Sequence, residues 1–262
     1  MQIKVADRSV YAYTGTRAFS NELPTIVFVH GAANDHGVFA LQSRYFAWHG
    51  MNAVAVDLPG HGRSGGDPRA SVEALADWLQ EVVDALGVRE ASLVGHSLGS
   101  LAALECASRY PERMRRLALL GPSVPMPVSD DLLDAAARND HVAYELINGW
   151  SFSSGSQLGG NQAPGMWMLG NAMRLMERSR AGVLSTDLIA CNRYANGLAA
   201  AARVQCPTLV VMGARDIMAP TRNAQALIGA LSNVETLTLP DTGHALMAER
   251  PDAVLDALRR FL

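Results

Sequence analysis

Apolar residues are arranged along this chain in two patterns. The first is the short continuous run, seen at residues 25–31 (TIVFVHG), at the start of 51–64 (MNAVAVDLPGHGRS) and at 91–97 (ASLVGHS), 115–123 (RRLALLGPS) and 208–216 (TLVVMGARD). Runs of this length predict strands buried on both faces. Residues 2–14 alternate loosely and predict two short antiparallel strands, and residues 234–244 (VETLTLPDTGH) predict one more strand. The second pattern has helical spacing. It covers 71–88, with Ser71 as N-cap and Gly87 at the end, and recurs at 98–109, 221–232 and 251–262. Strands alternating with helices predict an α/β fold, a mostly parallel sheet with helices on both faces.

The alternation stops between about 124 and 203, where helical patterns follow one another without a strand. This predicts a core domain made of 1–123 and 204–262, with 124–203 inserted as a helical cap over the carboxyl ends of the strands, where open α/β sheets bind ligands. The Gly/Ser-rich stretch 153–160 inside the insertion is expected to be mobile.

Residues 93–100 read LVGHSLGS, an apolar run, a serine and the start of a helix. Gly95 and Gly99 flank Ser97 at two residues' distance on either side. A tight strand-to-helix turn crowds its backbone, so those positions favour residues without Cβ. The G-x-S-x-G pattern is that of a nucleophile elbow. Asp216 ends another strand pattern and His244 follows the last one, giving the chain order Ser, Asp, His. A serine hydroxyl is a poor nucleophile until an imidazole takes its proton, and a carboxylate holds that imidazole in the correct tautomer.

Composition narrows the chemistry. The 262 residues carry a formal net charge of −3, which suggests neither nucleic acid nor an anionic membrane as partner. Lys4 is the only lysine, which argues against a lysine nucleophile. Cys106, Cys191 and Cys206 lack metal or disulfide spacing and read as buried thiols in a reducing compartment. With Lys4, Asp7 and Arg8 near the start and no long apolar segment, neither a signal peptide nor a membrane span is expected. The expectation is a cytoplasmic monomer or homodimer acting on a small molecule, without metal or cofactor.

Five motifs in this order resemble the α/β-hydrolase superfamily: His30-Gly31-Ala32, Asp57-x-Pro59-Gly60-His61-Gly62-x-Ser64, Gly95-His96-Ser97-Leu98-Gly99, Gly213-x-x-Asp216 and Gly243-His244. The resemblance covers roughly 24–123 and 204–262, but not the insertion. It implies an eight-stranded sheet with Ser97 as nucleophile, His244 as base and Asp216 as the orienting acid. The backbone N–H groups of Ala32 and Leu98 would form the oxyanion hole. Serine at the elbow argues against haloalkane dehalogenases and epoxide hydrolases, which carry aspartate there. The shortage of lysine argues against hydroxynitrile lyases. Ala245 stands where dienone C–C hydrolases often have tryptophan, which weakens that reading.

The expected reaction is hydrolysis of a carboxylic ester, lactone or thioester through an acyl-enzyme on Ser97. Alternatives left open are an enol-lactone or C–C hydrolase of aromatic catabolism, perhydrolytic or cofactor-free oxidative chemistry, and a non-catalytic binding protein. Candidate pocket residues are His30, Trp167, Met168, Arg193 and Ala245, with Asn192-Arg193 as a possible carboxylate anchor. Asp57 is expected to cap the turn that follows it, and His61 to be a structural turn residue. His30 is expected to organise the presumed oxyanion loop. His96 is expected to pack or hydrogen-bond locally beside Ser97, and His36, His49 and His141 to serve in packing or at the surface.

Overall fold

The computed structural model describes residues 1–160, 162 and 165–262. Eight strands form one sheet: β1 (Gln2–Val5), β2 (Arg8–Tyr13), β3 (Thr25–Val29), β4 (Asn52–Val56), β5 (Ala91–His96), β6 (Met114–Leu120), β7 (Thr208–Gly213) and β8 (Val234–Leu239). Their spatial order is β1-β2-β4-β3-β5-β6-β7-β8. β2 runs antiparallel to β1 and β4, and the strands from β4 to β8 are mutually parallel.

The core helices around the first six strands are α1 (Ala40–Ala47), α2 (Val72–Ala85) and α3 (Leu98–Arg109). The insertion forms α4 (Asp130–Ala137), α5 (Val142–Ser151), α6 (Ser154–Gln157), α7 (Met168–Met176), α8 (Val183–Arg193) and α9 (Gly197–Arg203). α10 (Gln225–Ala230), α11 (Leu246–Glu249) and α12 (Pro251–Phe261) complete the chain. Ser71 caps α2 as expected, its hydroxyl accepting the Ala74 N–H at 3.2 Å. α1 was not anticipated; it starts after Phe39 without a side-chain cap and carries no sharp apolar stripe.

Alternate residues of the central strands feed two apolar layers. Val27, Val29, Leu93, Leu117 and Val210 pack on the side of α2, α3 and α9, while Ile26, Phe28, Val94, Ala118 and Val211 pack on the side of α1 and α12. Period-2 alternation with both sets apolar is what a doubly covered sheet requires. Phe28 is fully buried, and burial of such a side chain is worth about 1.5–3 kcal/mol.

A third apolar cluster, with Leu132, Ile147, Leu184 and Leu188, joins α4, α5 and α8. α9 differs from the rest of the insertion: its Ala200 and Ala201 pack into the core with α3. Cys106, Cys191 and Cys206 are buried free thiols. No helix among the described residues is long and apolar enough to cross a membrane.

Candidate active site

β4 lies on one side of β3 and β5 on the other, so the chain switches direction across the sheet at β3. Ligands bind at such switch points, beyond the carboxyl ends of the strands. The loop after β3 begins with His30-Gly31-Ala32, and β5 runs into Ser97.

Ser97 has φ 54° and ψ −121°, a conformation that a non-glycine residue adopts only when its surroundings enforce it. Its N–H donates to the Leu120 carbonyl at 3.0 Å. A Cβ on Gly95 would overlap the Gly99 carbonyl oxygen, and one on Gly99 would overlap the Val29 carbonyl oxygen. Both glycines are therefore required by close backbone approach. Leu98 is the first residue of α3, where N–H groups have no intrahelical acceptor and the helix dipole favours negative charge.

Asp216 lies three residues beyond β7. Its Oδ2 accepts His244 Nδ1–H at 2.7 Å, and its Oδ1 accepts the N–H groups of Met218 at 2.9 Å and Ala219 at 2.8 Å. Burial alone would raise the Asp216 pKa. The His244 ring and the two main-chain N–H groups outweigh it and hold this carboxyl below its ordinary value. With Nδ1 donating to a carboxylate, Nε2 is the basic nitrogen of the imidazole. Gly121 makes room for the ring: a Cβ there would stand 3.1 Å from His244 Cε1.

Ser97 and His244 line one cavity of about 340 Å³ together with Gly31, Ala32, Leu132 and Leu188. A second cavity of about 310 Å³ meets it at His96 and His244 and runs between α1 and α7 past Met166, Met168, Leu175 and Met247. Among the described residues that line the two cavities, none is Asp, Glu, Lys or Arg.

The pocket candidates divide. Met168 and Ala245 line the second cavity. His30 does not reach either one. It is fully buried, accepts the Leu58 N–H on Nε2 at 3.0 Å and donates from Nδ1 to the Gly31 carbonyl at 2.8 Å. It ties the loops after β3 and β4 together, and burial, reinforced by His61, lowers its pKa to about 4, so it is neutral near pH 7. Trp167 is 73% exposed and Arg193 is exposed, because helical periodicity does not say which face of a helix meets the cavity. Asn192 is occupied elsewhere, its Oδ1 accepting the Val128 N–H at 3.0 Å.

Asp57 caps its turn as expected. Its carboxylate accepts the N–H groups of His36 and Arg63 at 2.8 Å and His36 Nδ1–H at 2.7 Å. Asp35, His36 and Asp57 come within 4.8 Å of one another, but Asp35 already accepts from Gly37 N–H and Arg178, so loop capping accounts for the cluster. His96 hydrogen-bonds as well as packs: its Nε2–H donates to the His244 carbonyl at 2.9 Å, fixing the His244 loop against the turn at Ser97. Burial and the nearby His244 lower its pKa to about 3.

Three contributors carried no signal in the sequence. Glu249 and Asp187 are buried carboxylates contacting the loops around His244 and Ala32, and Gly121 shapes the imidazole niche. The stretch expected to be mobile is anchored in its first part, since Ser153 and Ser156 are buried and both donate to Glu249. Asn161, which follows that stretch, lies outside the described residues.

The family profile described as alpha/beta hydrolase fold matches residues 24–251. The chain belongs to this family. The pimeloyl-[acyl-carrier protein] methyl ester esterase of Chromobacterium violaceum is 31% identical over 249 residues, covering 91% of this chain and 94% of that protein. The enol-lactonase of Burkholderia xenovorans LB400 superposes with a TM-score of 0.88 at 19% identity, covering 100% of this chain and 99% of the other. A thermophilic esterase from Thermogutta terrifontis gives a TM-score of 0.84 at 21% identity, covering 99% and 96%. At these identities the two structures speak for the α/β-hydrolase fold alone.

Proposed function

We propose that this protein is a serine hydrolase of small, uncharged carboxylic esters or lactones, with α4–α8 as the cap over its site. The observation that carries this reading is the Asp216–His244 pair opening onto the same cavity as the strained Ser97. His244 Nε2 takes the Ser97 proton as Oγ attacks the carbonyl carbon. The carbonyl oxygen becomes an oxyanion, held by the N–H groups of Leu98 and Ala32. The C–O bond then breaks and His244 returns the proton to the departing alkoxide. Water, deprotonated by His244, attacks the acyl-enzyme, and the proton goes back to Ser97 as the acid leaves.

The cavities suggest how such a substrate divides. The one lined by Ser97 and Ala32 suits the acyl group, and the one that meets it at His244, where the leaving oxygen collects its proton, suits the alcohol. Apolar walls without charge favour neutral groups in both. The exposed Arg193 leaves the anionic substrates of aromatic catabolism without the anchor that motivated that alternative. The similarity to a methyl ester esterase supports ester cleavage. The buried free thiols suit a reducing cytoplasm.

The test is labelling with a fluorophosphonate, read by intact mass. One adduct on the wild type and none on Ser97→Ala is the expected result. An unlabelled wild type, or a labelled Ser97→Ala protein, would overturn the reading.

A further inference from the structure

Asp187 and His61 meet beside the loop after β3 that carries Ala32, although neither lines the two cavities. Asp187 comes from α8 and His61 from the turn after β4, and each side chain is 2% exposed. Asp187 Oδ2 accepts the Ala33 N–H at 2.9 Å and His61 Nε2–H at 2.8 Å. His61 Nδ1 lies 3.0 Å from the Pro59 carbonyl oxygen. A carboxylate and a carbonyl only accept hydrogen bonds, so these surroundings favour hydrogen on both ring nitrogens and raise the His61 pKa above its ordinary value.

This contact falls one peptide from the Ala32 N–H. Ala33 has φ 51°, a left-handed conformation that an alanine keeps only under constraint. The neighbouring carbonyls are held by core side chains, Gly31 by His30 and Ala32 by Asn34 Nδ2 at 3.0 Å. The Ala33 N–H is held by Asp187, which belongs to the cap. A buried ion pair adds little net stability over an apolar contact of the same shape. A charge-assisted hydrogen bond to a main-chain N–H does fix geometry.

We propose that Asp187 is a positioning residue for the oxyanion hole: the cap carboxylate, paired with His61, locks the Ala33 peptide and so keeps the Ala32 N–H on the wall of the Ser97 cavity. The cap therefore completes the catalytic geometry as well as covering it. The inference rests on the reading of Ser97 as nucleophile.

The experiment compares wild type with Asp187→Ala, Asp187→Asn and His61→Gln. It measures kcat and KM on a short-chain p-nitrophenyl ester, inhibition by an alkyl boronic acid and thermal unfolding. The boronic acid forms a tetrahedral adduct on serine that places an oxygen in the hole. Outright loss of an oxyanion donor costs about 10²–10³-fold in kcat, so a loosened donor in Asp187→Ala should cost about 10- to 100-fold. KM should stay within about threefold, and boronic acid affinity should weaken in parallel with kcat, because the interaction exists only in the transition state.

Asp187→Asn keeps the shape and should lose less. His61→Gln keeps a donor toward Asp187 and should retain most of kcat. If Asp187→Ala does not fold, Asp187→Asn decides the matter by the same comparison, with His61→Gln as the control that keeps the donor. Unchanged kcat in the folded Asp187 variants, or a raised KM with boronic acid affinity intact, would overturn the inference while leaving the Ser97 reading standing. A wild type that fluorophosphonate does not label would overturn both.

Discussion

Glu249 holds Gly243 by its main-chain N–H, at 2.8 Å, directly before His244. The other oxygen of the same carboxylate accepts the Ser153 N–H at 3.1 Å and the Ser153 and Ser156 hydroxyls. The Ala245 N–H donates to the Ser151 carbonyl at 2.9 Å. The His244 loop and the start of α6 are thus knotted around one buried carboxylate.

Two outcomes follow from this knot. Amides of residues 153–157 should be protected in hydrogen exchange to the level of the adjoining end of α5; rapid exchange there would count against it. Glu249→Gln replaces an acceptor oxygen by an NH₂ group facing donors, which costs about 1–3 kcal/mol for each buried group left unpaired. Thermal unfolding should move down by several degrees, at about 2–4 °C per kcal/mol for a chain near this size. An unchanged Tm would show that the knot bears no strain.

Asp216 accepts three hydrogen bonds, one from His244 and two from the main chain. Asp216→Asn should leave the main-chain bonds to Oδ1 in place and offer His244 Nδ1 a donor instead of an acceptor. The imidazole then favours the wrong tautomer, and kcat should fall by about 10⁴-fold with little change in KM. Steady-state kinetics decide it, and a loss below tenfold would remove Asp216 from the acid's role. The lowered pKa of Asp216 adds a stability term with a definite sign. The term is present above the unfolded carboxyl's pKa and is lost as pH falls through the folded one. Asp216→Asn should therefore differ from wild type in Tm more near neutrality than in strong acid.

What the sequence made legible is what local sterics dictate. The elbow glycines, the strand ends bearing Asp216 and His244, and the capping carboxylate of Asp57 each belong to a short stretch whose backbone must take one shape. Glu249 and Asp187 belong to no such stretch. Apart from Gly243, six residues from Glu249, their partners lie 93 to 96 residues away for the serines, 126 for His61 and 154 for Ala33, and only packing brings those together. The cap residues misled for the same reason: Met168 faces a cavity while its neighbour Trp167 points to solvent, packed on Gly170. α1 went unseen because its residues show neither a side-chain cap nor a strong period.

The division of the substrate between the cavities can be tested by size exclusion in each. Met168→Trp adds bulk to the wall between α1 and α7, the proposed place of the alcohol. A methyl ester leaves that space empty and should be cleaved as before, whereas kcat/KM for a hexyl ester of the same acid should fall by about 10- to 100-fold. Leu132→Phe should do the reverse, discriminating among acyl lengths and not among alcohols. Swapped preferences in the two variants would exchange the assignments, and equal losses on every ester would abolish them.

His61 gives its contact with α8 a dependence on pH. Burial pulls its pKa down, but the Asp187 charge and hydrogen bond, with the Pro59 carbonyl and the Asp57 charge, raise it above the ordinary histidine value. His30, the other titratable ring in contact at 5.0 Å between centroids, is neutral above its pKa of about 4 and does not change over the relevant range. A raised pKa in the folded state means that the His61 contribution is fully present below the unfolded pKa of about 6.5 and is lost as pH rises through the folded one. The wild type should therefore exceed His61→Gln in Tm by most in mildly acidic buffer, with the gap closing in alkali. The same change should show in kinetics: as His61 loses its proton, Asp187 keeps the His61 Nε2–H and the Ala33 N–H but no longer faces a positive charge, so kcat should decline on the alkaline side in the wild type and less so in His61→Gln. A gap in Tm that stays constant from acid to alkali would mean that His61 is neutral in the folded protein and that the bond to Asp187 is an ordinary one.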